Sequence, residues 1–103
     1  MGTQETLSAL SDPARRRILD LLQEGGLEAG AIGEHVGLQP SKLSYHLKKL
    51  KEAHLVSGRR SGNRIVYELN LTALDETILW LYRLRTGAGV ERHKARARAA
   101  VKD

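Results

Sequence analysis

The seventeen residues PSKLSYHLKKLKEAHLV, at positions 40–56, constrain this chain more than any other stretch. At about 100° per residue, Leu43, Leu47, Leu50 and His54 fall on one side of a helix, while Ser41, Lys42, Tyr45, Lys48 and Lys49 fall on or near the other. Such a helix packs by its leucines and presents hydroxyl and ammonium groups to solvent. Pro40, preceded by Gln39, suits the first helical position. Leu50 and Leu55 are spaced to close the far end hydrophobically, as in a Schellman cap with residue 54 in the left-handed conformation.

The charge follows the same stretch. Of the formal net charge of +5, residues 40–64 carry net +6, seven basic residues against Glu52 alone, whereas residues 1–39 are net −3. Cations gathered in one quarter of a chain suit a polyanion surface, although a solvated cationic face reads the same way.

Composition narrows the classes. With no cysteine among 103 residues, disulfides, thiolate metal sites and cysteine nucleophiles are excluded. That, and an N-terminus unlike a signal peptide, points to the cytoplasm. No apolar run approaches the roughly 20 residues that a membrane span needs.

Along the chain, residues 3–10 read as a short first helix with Leu7 and Leu10 on one side. Asp12-Pro13 starts a second helix, whose buried stripe is Ala14, Ile18, Leu21 and Leu22. Arg16 is spaced to pair with Asp12 and Asp20. Residues 27–36 read as a third, weak helix ending at Gly37, with Gly30 and Gly33 letting another helix come close. After the basic helix, residues 56–69 read as a hairpin turning at Ser61-Gly62-Asn63, with Arg59, Arg60 and Arg64 flanking its tip. Thr72 and Asp75 suggest a capping box opening a last helix. Its apolar surface, Leu74, Ile78, Leu79, Trp80, Leu81 and Tyr82, is too broad for one small core and points to a second copy of the chain.

This order defines a mainly α fold with a small β-hairpin, a winged helix-turn-helix of about five helices and a two-stranded wing. Residues 1–86 form the DNA-binding and dimerisation domain, and 87–103 a basic tail, frayed or disordered. In such folds the second helix of the motif enters the major groove. Ser41, Lys42, Ser44 and Tyr45 lie in its first half, where base contacts concentrate, and Lys48 and Lys49 lie nearer the phosphates.

On "LSDPARRRILDLL" at 10–22, "GLQPSKLSYHLKKLKEAHLV" at 37–56 and "GNRIVYELN" at 62–70, the chain resembles the ArsR-type winged-helix repressors of bacteria. The resemblance covers roughly residues 5–85. It implies a homodimer held by the first and last helices, Leu7 among its contacts, and operator binding as a repressor at an inverted repeat. By position it makes Ser41, Lys42, Ser44, Tyr45 and His46 the groove-facing candidates and Arg59, Arg60 and Arg64 the wing; Gln39, Lys48 and Lys49 complete the DNA-binding set of the recognition helix, and Asn63 that of the wing.

The chain departs from that family in three places. His54 stands where glycine is usual. The metal-binding cysteines of many members are absent. Where others place an Asp-x-His pair and a later His-x-x-Glu, this chain has Asp75-x-Thr77, then Ala88 and Glu91, with His93 out of step. His35 and His46, at helix flanks, read as packing or hydrogen-bonding residues. The expectation is a DNA-binding regulator with no cofactor and no resident metal, which answers to its own concentration, a partner protein or a small organic effector.

Two rivals remain: a winged-helix protein-interaction module, and a metal sensor built from histidine and carboxylate ligands. An enzyme is not expected, since no nucleophile set, phosphate loop or carboxylate pair has a recognisable context.

Overall fold

Helix caps and one leucine stripe decide where each element lies. The structure, a computed structural model, describes residues 2–87. Helix α1 is Thr3–Leu10 and α2 is Pro13–Leu22. The Asp12 carboxylate accepts from the Ala14 amide at 2.7 Å, and Pro13 occupies the first helical position. Helix α3 is Ala29–Val36, and α4 is Pro40–Glu52. Strands β2, Val56–Ser61, and β3, Arg64–Leu69, form the hairpin, and α5 is Thr72–Thr86.

The sheet has one strand more than expected. Leu27–Glu28 forms a short strand, β1, paired antiparallel with β3 through Leu27↔Tyr67 and Glu28↔Val66, so the strand order is β1-β3-β2. The expected third helix therefore begins only at Ala29. Gly26 makes this pairing possible, because a Cβ there would meet Val66 Cγ1 at 2.6 Å and Glu68 Cγ at 2.8 Å. In the hairpin Ser61 pairs with Arg64, leaving Gly62 and Asn63 as the turn; Gly62, at φ 64°, supplies the positive φ that primed two-residue turns demand.

The core gathers Ile18 and Leu22 of α2, Ile32 of α3, Leu43, Leu47 and Leu50 of α4, then Leu55 and Val56, with Ala9, Ala53 and Ala73 filling its edge. Ile18, Ile32 and Leu50 have no exposed surface. Ala14 and Leu21, expected in the α2 stripe, are half-buried. Gly33 brings α3 close to α4: a Cβ there would sit 3.3 Å from Leu43 Cδ2.

The end of α4 is the expected Schellman closure. The Leu55 amide donates to the Leu50 carbonyl and the His54 amide to the Lys51 carbonyl, both at 2.9 Å, with His54 left-handed at φ 60°. Leu55 and Val56 thereby turn into the core as β2 begins.

Two local expectations fail. Thr72 does not cap α5: the residue before the helix is Leu71, without a side-chain cap bond, and the Thr72 amide instead donates to Asn70 Oδ1 at 3.2 Å. Asn70 outcompetes the capping box because its amide oxygen reaches two residues on, as in an Asx turn. In α2 the inward arginine is Arg15, buried at 8 % exposure and 3.9 Å from Asp12, whereas Arg16 donates to the Leu10 carbonyl at 2.6 Å.

Helix α5 packs beside α1, with Ala73 and Thr77 buried and Leu74 half-buried. Ile78, Leu79, Trp80, Leu81, Tyr82 and Leu84 are exposed, with Trp80 at 43 % and Leu84 at 67 %. No helix among the described residues is long and apolar enough to cross a membrane.

His54 gives a direct test of the α4 closure. A left-handed conformation costs a residue with a Cβ roughly 1–2 kcal/mol, a cost glycine escapes. His54→Gly is expected to stabilise the domain by about 1 kcal/mol, read as a higher urea midpoint at constant slope and fixed protein concentration. A lower midpoint would mean that the imidazole makes a contact worth more than the strain.

Candidate nucleic-acid interface

The leucine stripe fixes which side of α4 faces outward. Leu43, Leu47 and Leu50 are buried, so Ser41, Lys42, Ser44, Tyr45, Lys48 and Lys49 are all exposed on the remaining surface, and Gln39 is exposed at its N-cap. Between Pro40 and Lys51 this helix carries no acidic residue. Charge repulsion among its lysines is the cost of such a surface, and a polyanion relieves it.

Tyr45, 54 % exposed, is the largest of these side chains. The Lys49 ammonium lies over its ring, 5.6 Å from the centroid, and the His46 ring meets it edge-on at 5.4 Å and 68°. His46 itself is half-buried and turned toward α2, with Nδ1 3.2 Å from the Arg15 guanidinium. Of the eight recognition-helix candidates it is thus the one engaged with the domain interior. His35 lies on α3, with Nδ1 2.8 Å from the Ala31 carbonyl.

Arg15 lies buried beneath this surface. It donates to the Ala9 carbonyl at 2.8 Å and the Ser8 carbonyl at 3.3 Å, at the end of α1, as well as facing His46. Three consecutive arginines in the sequence do not mark which one turns inward. The hydrogen bond from the Ala14 amide, with the Arg15 guanidinium behind it, holds the Asp12 carboxyl below the usual carboxylate range against an opposing desolvation.

The wing residues Arg59, Arg60, Asn63 and Arg64 are exposed along the hairpin tip. Two of the three arginines have carboxylate partners: Arg59 bonds Glu68 at 3.1 Å, and Arg64 bonds Glu28 of β1 at 3.2 Å. Arg60 has none among the described residues. The interface candidates Leu7, Ile78, Leu79, Trp80, Leu81 and Tyr82 form a separate exposed apolar set, beside the half-buried Leu74.

Among the described residues no group of three or more histidines, cysteines or acids could hold a metal ion. Thr77, where the family places an imidazole, is buried. Ala88, Glu91, His93 and the basic tail lie outside the described residues.

A helix presented outward beside an arginine-bearing hairpin is the arrangement of a winged helix-turn-helix DNA-binding regulator. The comparisons agree. A helix-turn-helix domain family matches residues 10–59. The transcriptional repressor SdpR of Bacillus subtilis is 47% identical over 73 residues, covering 71% of this chain and 81% of that protein. The arsenical resistance operon repressor of Staphylococcus xylosus is 45% identical over 69 residues, 67% of this chain and 66% of that one. Among solved structures, the homodimeric winged helix-turn-helix DNA-binding domain of Mb0332 from Mycobacterium bovis, described as a possible ArsR-family regulator, superposes with a TM-score of 0.64 at 29% identity, over 82% of this chain and 77% of that one.

The chain belongs to the ArsR-type family of helix-turn-helix transcriptional repressors. Its work is regulation of transcription by DNA binding, not catalysis.

Proposed function

We propose that this regulator acts as a homodimeric repressor at an inverted-repeat operator, with the outer surface of α4 in the major groove and the hairpin against the adjacent backbone. The observation that carries the reading is the leucine-anchored α4, whose exposed residues are hydroxyls, an aromatic ring and lysines. Ser41, Lys42, Ser44 and Tyr45 then meet base edges, while Gln39, Lys48 and Lys49 meet phosphates and position the helix. Arg60, with Asn63, is the wing's first contact, and Arg59 and Arg64 join it by leaving their carboxylates. His46, engaged by Arg15, serves the helix from within.

The second copy covers the apolar surface from Ile78 to Tyr82 together with Leu7. The Mycobacterium bovis relative is homodimeric, which supports this assembly. Two-fold symmetry would set the paired recognition helices about 34–36 Å apart, one turn of duplex. With no cysteine in the chain, and Thr77 standing in place of an imidazole, the effector is proposed to be a partner protein or a small organic molecule rather than a transition metal.

Duplex titrations at several salt concentrations test the interface. Arg60→Ala and Lys48→Ala are each expected to weaken binding to every sequence and to flatten the log–log salt slope by about one unit. Ser41→Ala or Tyr45→Ala should instead shift the preferred sequence, at about 1–3 kcal/mol per lost base contact. Micromolar zinc, nickel, cobalt or copper should leave the wild-type curve in place. Equal affinity of wild type and an Arg59/Arg60/Arg64 triple-alanine variant would overturn the reading.

Light scattering tests the assembly. Wild type should have the mass of two chains at micromolar concentration, and Leu81→Glu the mass of one, with much weaker DNA binding. A wild-type mass of one chain would refute the dimer.

A further inference from the structure

Arg15 sits where three helices meet. Its Nε and Nη2 donate to the Ala9 and Ser8 carbonyls of α1, at 2.8 and 3.3 Å, and Nη1 lies 3.2 Å from His46 Nδ1 on α4. Both carbonyls belong to the last turn of α1, and that of Ser8 also accepts from the Ser11 amide at 3.2 Å and the Ser11 hydroxyl at 2.6 Å. A guanidinium has no acceptor, so in this bond His46 Nδ1 must accept and the ring carries its proton on Nε2. The same ring stands edge-on to Tyr45, whose other neighbour is the Lys49 ammonium.

We propose that Arg15 and His46 are positioning residues for Tyr45, so that discrimination between DNA sequences depends on a buried arginine that touches no DNA. The inference rests on the DNA-reading role of α4 given above. An exposed tyrosine that must reach a base loses affinity to rotamer freedom, and a ring braced from two sides has already lost that freedom before binding. Arg15 supplies the fixed end of the brace, being tied to α1 as well as to α2.

The arrangement holds only while His46 is neutral. A protonated ring has no lone pair for Arg15 and places a second cation against it. From α2, Arg15 and Asp12 face the ring. From α1, Glu5 lies across a cavity of about 250 Å³ that Arg15, Lys49 and Glu52 also line. On α4 itself Lys42 lies one turn before His46, with Tyr45 and Lys49 alongside. Of the other elements packed on α4, α3 brings Glu34 to a groove shared with Leu43 and Ser44, and β2 brings Arg59, which is held by Glu68.

The test compares two duplexes: one enriched by the wild-type chain from a random pool, and a scrambled duplex of equal length and composition. His46→Leu and Arg15→Met are expected to lower the ratio of the two affinities about tenfold at mildly alkaline pH. His46→Asn, whose amide oxygen can stand near the place of Nδ1, should restore most of that ratio. Circular dichroism confirms folding of each variant. Should Arg15→Met unfold, Arg15→Lys replaces it, keeping the charge while losing the fork.

Ring nitrogen shifts of the free wild-type chain give a reading independent of DNA, with Nδ1 unprotonated at neutral pH and shifted in Arg15→Lys. Equal losses on both duplexes, an unaltered ratio in His46→Leu, or a protonated Nδ1 would each overturn the inference. A wild-type chain that enriches no duplex would instead defeat the DNA-reading role on which the inference rests.

Discussion

The burial of Leu43, Leu47 and Leu50 against Ile18, Leu22 and Ile32 is the interaction on which the molecule depends. Each large apolar side chain taken out of water contributes about 1.5–3 kcal/mol, so six of them outweigh any polar contact on this surface. Their spacing also sets the rotation of α4 about its own axis, and with it the direction in which every lysine and hydroxyl points. The proposed DNA-reading surface and the stability of the fold thus lie on opposite sides of one helix. Substitutions on the outer side can change recognition while leaving the core intact.

Much of this was legible because the signals are local. Asp12-Pro13, Gly37, Gln39-Pro40 and the turn at Gly62-Asn63 each state a backbone requirement within two or three residues, and each lies where expected. Even the unusual His54 was readable, because the Leu50–Leu55 spacing demands a left-handed residue between them. What stayed hidden depends on distant partners. β1 is two residues long, and nothing in Leu27-Glu28 announces Tyr67 and Val66 across the sheet. Thr72 and Asp75 formed a plausible capping box, but Asn70 made the nearer bond. Which arginine of three turns inward depends on α1 carbonyls and on a histidine 31 positions away.

Helix α5 shows the same division. Its inner side is small, Ala73 and Thr77, which lets α1 lie close. Beyond Thr77 its exposed residues are mostly large and apolar, Ile78, Leu79, Trp80, Leu81, Tyr82 and Leu84, with Arg83 among them. Periodicity flagged the excess of apolar surface but could not say which residues would be spared by the core, because alanine and threonine give weak signals. The Thr6 and Thr77 hydroxyls are both buried without a hydrogen-bond partner among the described residues.

The hairpin carries its own counter-ions. Glu68 and Glu28 pair with the Arg59 and Arg64 guanidiniums, the groups proposed above to meet phosphates. In the proposed complex a strand of duplex arriving there would compete with two tethered carboxylates rather than meet two bare cations. The net gain at each arginine would be the difference between one ion pair and another. Such a wing would act as an exchanger rather than a magnet.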